Sequence, residues 1–218
     1  MLFRSIDELV ADPFGFVVRA ALVMAVIIVA ISIHEFAHAW SAYLLGDPTA
    51  AKLGRLTINP LAHLDPMGTL LLLIAGFGWG KPVPVNPYNL RGDPRRGMAI
   101  VALAGPFSNV LLAGFVGLLI RADVPLPWFV QSFVATLLII NIVLAVFNLI
   151  PLPPLDGFKI AVGLLPHHLS LGLARLEAQG PMLLLLILML DSFGGTHIVS
   201  SVMGPPIQFL ERTIVGGF

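Results

Sequence analysis

The residues with the clearest chemical potential are His34, Glu35 and His38, in the segment SIHEFAHAW. Two histidines four positions apart lie on the same face of an α-helix. Two imidazoles on one helical face can bind the same Zn²⁺ ion, and a glutamate between them is placed to take a proton from a metal-bound water. The pattern therefore predicts a hydrolytic zinc site in which His34 and His38 bind the metal and Glu35 activates the zinc-bound water.

A hydrolytic zinc site ordinarily has a third protein ligand, with water in the fourth position. The chain contains no cysteine, so this ligand must be a histidine or a carboxylate. The best candidate is Asp156, which follows a run of prolines in NLIPLPPLDG. Proline interrupts a helix, and irregular backbone at membrane depth is tolerated where it lines a cavity or packs against protein. Asp156 is also a candidate for an ordinary N-cap of a helix that starts near Gly157, and both roles are compatible, since a cap residue can also face inward.

Other histidines and carboxylates compete for the third position. His63, in INPLAHLDP, is the main alternative, although a loop rich in turn-forming residues is more typical of a surface or interface histidine. The remaining candidates are two histidines of a polar loop, a histidine expected near the opposite side of the membrane, and two membrane-adjacent carboxylates. They are His167, His168, His197, Asp65 and Asp191.

Long apolar segments carry this chemistry. Glu35 is the only formal charge in residues 20–46, and residues 97–120 and 124–155 contain none. A membrane-spanning helix needs about 20 mainly apolar residues. Of the whole chain 57% is hydrophobic and 11% is charged, whereas soluble domains have about 25% charged residues. The chain is therefore predicted to be an integral membrane protein, in which an intramembrane carboxylate is functional by default.

Three shorter apolar segments complete the predicted fold. Residues 66–80 are short and rich in glycine, which favours a re-entrant segment, and residues 178–190 are a further candidate span. Residues 192–210 are interrupted by glycines and prolines, so they either span or lie along the membrane surface. We predict an all-α polytopic membrane protein with about four to six transmembrane helices and a short re-entrant or β-like segment on the cytoplasmic side.

We expect one intramembrane domain over residues 1–218, with a catalytic core at about 14–165 and C-terminal helices over 166–218. Residues 46–66 and 81–97 hold six of the twelve basic residues, and the positive-inside rule assigns them to the cytoplasm. The first and third long apolar helices then both end on that side. This topology predicts a multi-pass protein of the cell membrane with its active site near the cytoplasmic side.

Three motifs occur in order: HEFAH at 34–38, GPFSN at 105–109 and NLIPLPPLDG at 148–157. Together they resemble the site-2 protease family of zinc intramembrane proteases, whose second signature is N-x-x-P-x-x-x-x-D-G. The resemblance extends from about residue 20 to about residue 165. Within this family, the sequence is similar to the compact prokaryotic branch, which lacks a PDZ or regulatory domain.

The resemblance implies that one Zn²⁺ per chain is bound by His34, His38 and Asp156, with Glu35 as the base. It implies a zinc metalloendopeptidase that hydrolyses a peptide bond within or near the transmembrane segment of a membrane-anchored substrate, in regulated intramembrane proteolysis. The expected partners are a single-pass transmembrane protein substrate and the lipid bilayer, and no nucleic acid, since the net charge is zero. The sequence does not indicate an oligomeric state.

Two other functions fit some of these features. One is a membrane transporter of metal ions or protons, which ordinarily shows internal repeats and several intramembrane charges. Neither feature is present in this sequence. The other is a catalytically inactive scaffold similar to a site-2 protease, against which the full set of ligand types argues.

Two asparagines in the long apolar segments are neutral hydrogen-bond donors suited to an oxyanion. We predict that Asn109 and Asn148 contact the substrate or the transition state. Interhelical hydrogen bonding, which is common for asparagine in membrane bundles, is their alternative role.

The segments KLGRLTIN and KPVPVN show the short alternation that is typical of strands. We predict a small sheet or hairpin that receives an unwound substrate. Pro82 and Pro84 would leave one of its edges unable to donate hydrogen bonds. A polar loop is the alternative.

Overall fold

The computed structural model describes residues 10–75, 78–193 and 195–216. These residues form helices joined by turns and extended segments, and no strand occurs among them, which confirms the predicted all-α fold class. The helices are α1 (Pro13–Leu44), α2 (Thr49–Lys52), α3 (Pro66–Ala75), α4 (Pro94–Arg121), α5 (Trp128–Asn148), α6 (Asp156–Leu164), α7 (His167–Ala174), α8 (Gly180–Phe193) and α9 (Ile198–Val215).

Four helical stretches in the described part of the chain are long and apolar enough to cross a membrane. Three are α1, α4 and α5, which correspond to the three long apolar segments of the sequence. The fourth runs over His167–Asp191 and includes the predicted span at 178–190. The last helix, α9, contains two internal prolines and is not one of the four.

The longest helix, α1, begins where its sequence provides a cap. Asp12 accepts a hydrogen bond from the Gly15 backbone N–H at 2.9 Å, and Pro13 occupies the first turn, where its missing N–H costs nothing. The helix ends just before Gly46, whose φ of +107° is a conformation that favours glycine. These 32 residues carry His34 and His38 near the C-terminal end.

The core lies where α1, α4, α5 and α9 meet. Each helix contributes one or more side chains to this core, among them Val26, Ala113, Ile142 and Met203. The first three of these are completely buried. Small residues allow membrane helices to approach closely. The close contact of α4 with α9 depends on Gly117, where a Cβ atom would lie 2.2 Å from Ile214 Cγ2.

The predicted re-entrant segment corresponds to α3, whose ten residues are about half of what a span needs. Leu64, just before the helix, forms an isolated antiparallel bridge with Gly80, so the segment returns to the side from which it started. The predicted strands over 52–59 and 81–86 are wrong, since neither range contains a strand. Residues 81–86 have no regular secondary structure and do not pair with a second strand.

Candidate metal centre

Helix α1 presents His34 and His38 on one face, and both side chains are buried. Their Nε2 atoms lie 3.0 Å apart. Asp156, at the start of α6, brings its Oδ2 atom to 3.1 Å from each of these nitrogens. The structure therefore gathers the three predicted ligands, from positions more than a hundred residues apart, into one triangle of donor atoms.

This triangle has the chemistry and nearly the dimensions of a zinc site. Tetrahedral zinc with bonds of about 2.0–2.1 Å places its ligand atoms about 3.3 Å apart, close to the 3.0–3.1 Å found here. Two imidazoles and one carboxylate are also the ligand set of many hydrolytic zinc sites. In the described part of the chain, this is the group of histidines and carboxylates close enough to hold a metal ion.

The other nitrogen of each imidazole has a partner that fixes the ring. His34 Nδ1 donates to Asn109 Oδ1 at 2.7 Å, and His38 Nδ1 donates to the Val101 carbonyl at 2.7 Å. Since each Nδ1 carries the proton, each Nε2 presents its lone pair to the centre. Helix α4 thus sets the orientation and tautomer of both histidines on α1.

Asn109 is in turn held by a second asparagine. Its Nδ2 donates to Asn141 Oδ1 at 2.8 Å and to the Ala30 carbonyl at 3.3 Å, and both asparagines are completely buried. The Asn109–Asn141 bond joins α4 to α5, as expected for the alternative role of Asn109. Asn148 is half-buried and donates to the Leu144 carbonyl of its own helix at 3.0 Å. Contact of Asn109 or Asn148 with substrate stays a prediction.

Gly105 is the point where α4 approaches the imidazoles. A Cβ atom at this position would lie 2.5 Å from both Cε1 and Nε2 of His38 and 2.6 Å from His34 Cε1. No side chain larger than a hydrogen fits there without moving a ligand. The glycine of GPFSN is therefore explained by the space that the two rings occupy.

Asp156 is the first residue of α6, and the N-cap position belongs to Leu155. The N-cap role for Asp156 is therefore wrong, and its carboxylate points at the two histidines. The N-terminus of a helix favours a negative charge, which helps to hold the carboxylate in its ionised form. The adjacent Gly157 allows close packing, because a Cβ atom there would lie 2.3 Å from the Leu149 carbonyl oxygen.

The sequence is similar to a known protein family and to individual known proteins. A family model described as peptidase family M50 matches residues 122–188. The chain is 43% identical over 162 residues to "Putative zinc metalloprotease YwhC" of Bacillus subtilis, a match that covers 71% of this chain and 74% of that protein. The chain belongs to peptidase family M50, the site-2 proteases.

A second relative is more distant. The M50 chain is 36% identical over 163 residues to "Putative zinc metalloprotease Rip2" of Mycolicibacterium smegmatis, which covers 72% of this chain and 61% of that protein. No solved structure gives a significant match.

Glu35, the predicted base of the M50 site, is half-buried and points toward the segment 81–86. Its Oε2 accepts a hydrogen bond from the Val83 backbone N–H at 3.0 Å. Pro82 and Pro84 have no N–H, and the one amide between them donates to this side chain, so these three residues have no N–H available for a neighbouring strand. The amide between the two prolines is thus directed at Glu35, the predicted base.

Arg55 holds the same segment from the other side. Its Nη2 donates to the Lys81 carbonyl at 2.5 Å and its Nη1 to the Pro82 carbonyl at 3.3 Å. His63 is completely buried beside it, with Nδ1 at 3.4 Å from Arg55 Nη2 and Nε2 at 2.7 Å from the Thr57 carbonyl. The interpretation of His63 as a surface histidine is therefore wrong, and His63 is not in the ligand group.

Asp47 forms hydrogen bonds with the C-terminal end of this segment, at Asn86 and Asn89. Its carboxylate accepts hydrogen bonds from the Asn86 N–H at 2.7 Å, from Asn89 Nδ2 at 2.8 Å and from Thr49. Burial works to raise the pKa of Asp47, but the hydrogen bonds from Thr49, Asn89 and Asn86 outweigh it and lower the pKa below its usual value. Residues 81–89 are thus fixed at both ends, with Val83 between.

The remaining candidates lie outside the ligand group. His167 and His168 are exposed at the start of α7, and His197 is exposed just before α9. Two carboxylates serve backbone turns: Asp65 Oδ1 accepts from the Gly68 N–H at 2.8 Å and Asp191 Oδ1 from the Val199 N–H at 3.2 Å.

Sequence reasoning missed two side chains that support the site. Asn141 had a usable signal, since a buried amide in an otherwise apolar span needs a partner. Arg55 had none, because a basic residue in a polar loop is ordinarily exposed. Its burial depends on carbonyl groups 26 and 27 residues away.

Proposed function

We propose that this chain is a zinc metalloendopeptidase that hydrolyses a peptide bond within or near the transmembrane segment of a single-pass, membrane-anchored substrate, in regulated intramembrane proteolysis. The observation that carries the proposal is the convergence of His34, His38 and Asp156 on one point of an apolar helix bundle, next to Glu35. The zinc metalloprotease names of the relatives support the same chemistry.

One Zn²⁺ held by the three ligands would supply a Lewis acid that polarises water and the scissile carbonyl. The hydrogen bonds from His34 to Asn109 and from His38 to Val101 keep both imidazoles oriented, so little reorganisation accompanies binding. Burial of all three ligands keeps bulk water from competing with these contacts.

Glu35 moves the proton. Its Oε2 is held by the Val83 N–H, and Oε1, which receives no hydrogen bond from the described part of the chain, is free to accept a proton from the attacking water. The same carboxyl group returns that proton to the departing amine nitrogen. A carboxylate one residue from a ligand moves little between these two transfers.

The substrate must be locally unwound, because helical peptide bonds are protected from attack and unpaired backbone groups need partners in a low-dielectric site. Asn148 is suited to contact such a substrate or the transition state. It is half-buried, and its amide donates to a carbonyl of its own helix, so turning to a substrate would break no hydrogen bond to another helix in the described part of the chain. Asn109 would first have to give up its bonds to His34 and Asn141. Positioning of His34 is therefore its main role.

The site lies toward the C-terminal ends of α1 and α5, next to the two loops rich in basic residues. By the positive-inside rule we assign these loops, and the active site beside them, to the cytoplasmic side of the cell membrane.

Metal content tests the site. Purified parent protein in detergent is expected to contain about one zinc per chain, and His34→Ala and Asp156→Ala are expected to lose it. His63→Ala is the matched control, since it removes a buried histidine outside the ligand group. A parent protein that binds no zinc would refute the proposal and favour the transporter.

Proteolysis can be tested before any substrate is identified. The membranes of a bacterial host that expresses either the parent or Glu35→Gln are compared by mass spectrometry of protein N-termini. New N-termini inside transmembrane segments are expected with the parent alone. Identical N-termini, with zinc bound to both proteins, would favour an inactive scaffold.

A further inference from the structure

One peptide group links Arg55 to Glu35. The carbonyl of the Pro82–Val83 peptide accepts a hydrogen bond from Arg55 Nη1, and the N–H of the same peptide donates to Glu35 Oε2. The peptide dipole therefore lies between a cation at its oxygen end and a carboxylate at its nitrogen end. Both charges stabilise the same orientation of the peptide.

Arg55 is an unusual cation. It is 6% exposed, and the five ion pairs in the described part of the chain do not include it. Its Nε is buried without a hydrogen-bond partner. Burial of a cation is costly unless it is compensated, and the compensation here comes from the carbonyls of residues 81 and 82.

The position of this peptide is set by the surrounding contacts. Lys81 N–H donates to the His63 carbonyl at 2.8 Å, and a Cβ atom at Gly80 would lie 3.2 Å from Cγ2 of Ile31, one helical turn before Glu35. Arg55 donates hydrogen bonds to the successive carbonyls of residues 81 and 82. The Val83 amide, between the two prolines, then points at Glu35.

We propose that Arg55 is a positioning residue, which acts through the Pro82–Val83 peptide to hold the Glu35 carboxylate in the orientation needed for proton transfer. The catalytic part of this inference rests on the proposed function, whereas the structural link does not. Arg55 acts on the base through a backbone peptide and does not contact the predicted metal ligands. Loss of this interaction should therefore lower the rate of catalysis while zinc binding is retained.

Hydrogen–deuterium exchange tests the link in the whole protein, without any need for activity. In a peptide covering residues 80–84, Pro82 and Pro84 carry no amide hydrogen, and the first two residues, Gly80 and Lys81, lose their label during digestion. Val83 is therefore the amide that retains measurable label. We expect this amide to exchange at least about tenfold more slowly than an unprotected amide.

Arg55→Gln and Glu35→Ala remove the two ends of the link, and each is expected to accelerate exchange at Val83 by at least about threefold. Lys52→Gln is the matched control, because it removes an exposed cation three residues from Arg55 and should leave the exchange unchanged. Exchange of Val83 at the unprotected rate in the parent would overturn the inference, as would equal exchange in Arg55→Gln and the parent.

The catalytic part compares Val83→Pro, which removes the amide hydrogen, with Val83→Ala, which retains it. Both are expected to keep about one zinc per chain. For a substrate found in the N-terminal comparison, kcat of the proline variant should be about 100-fold lower, with KM little changed. Equal kcat values, or a parallel loss of zinc, would overturn the catalytic role. A parent that cleaves nothing would refute the proposed function and leave the exchange result to decide the link.

Discussion

The sharpest prediction concerns Gly105, because one methyl group there would act on two predicted metal ligands at once. In Gly105→Ala, the new Cβ atom would lie 2.5 Å from His38 Nε2, the predicted zinc-binding atom, and 2.6 Å from His34 Cε1. Ordinary contacts of a Cβ atom begin at 3.4 Å, so the two rings and helix α4 must separate by about 0.8–0.9 Å.

Movement of this size exceeds what a zinc site tolerates. Ligand distances in such sites vary by about 0.2 Å, and the two rings are tied through Nδ1 to Asn109 and Val101. The rings cannot shift without breaking those hydrogen bonds as well. We therefore expect the zinc dissociation constant of Gly105→Ala to rise at least about 100-fold, with loss of proteolysis.

The assay is competition for zinc with a chromogenic chelator, combined with thermal unfolding in detergent. Gly114→Ala is the matched control: it lies on the same helix, nothing lies within 4 Å of its added Cβ, and alanine favours the helix by about 1 kcal/mol. It should bind zinc like the parent. If Gly105→Ala bound zinc as tightly as Gly114→Ala, the close approach of α4 to the ligands would be refuted.

Two further predictions address supporting residues. Asn141→Leu removes the acceptor for Asn109 Nδ2 at similar side-chain volume, and is expected to weaken zinc binding by about tenfold while the bundle still folds. Ser132→Ala, at an exposed position of the same helix, is the control. Equal zinc affinities of the two variants would contradict the support that Asn141 gives to His34 through Asn109. Asp47 has a lowered pKa in the folded protein, so its stabilising effect is complete above the usual value of about 4 and is lost as the pH falls through the lower folded value. The difference in unfolding temperature between the parent and Asp47→Asn should therefore be largest near neutral pH and disappear in acid, and a difference independent of pH would contradict this account.

The three predicted zinc ligands pose two different structural problems. His34 and His38 need only a regular helix, whereas Asp156 must be delivered by a chain break followed by a new helix. The break at Pro151, Pro153 and Pro154 ends α5, and α6 begins at Asp156 itself. The carboxylate thereby combines a rigid helical backbone with a position that a continuous helix could not reach.

Much of the site could be predicted from the sequence because its determinants are local or topological. The spacing of His34 and His38 fixes a common face once the segment is helical. The length of the apolar segments fixes the spans, and the distribution of basic residues places Asp156 at the same end of the bundle. These inferences use periodicity, hydrophobicity and charge, which are properties of single residues and their neighbours.

The tertiary structure alone decided the contacts that depend on exact approach. The alternation in 81–86 predicted a strand, but alternation does not record where each backbone N–H goes, and the Val83 amide is used by Glu35. Arg55 and His63 looked like polar loop residues, yet both are buried: carbonyl groups from another loop accept hydrogen bonds from both Nη atoms of Arg55, and His63 Nε2 bonds to the Thr57 carbonyl. A hydrogen bond between distant segments depends on distances of tenths of an ångström, and such distances are set by packing rather than by sequence spacing.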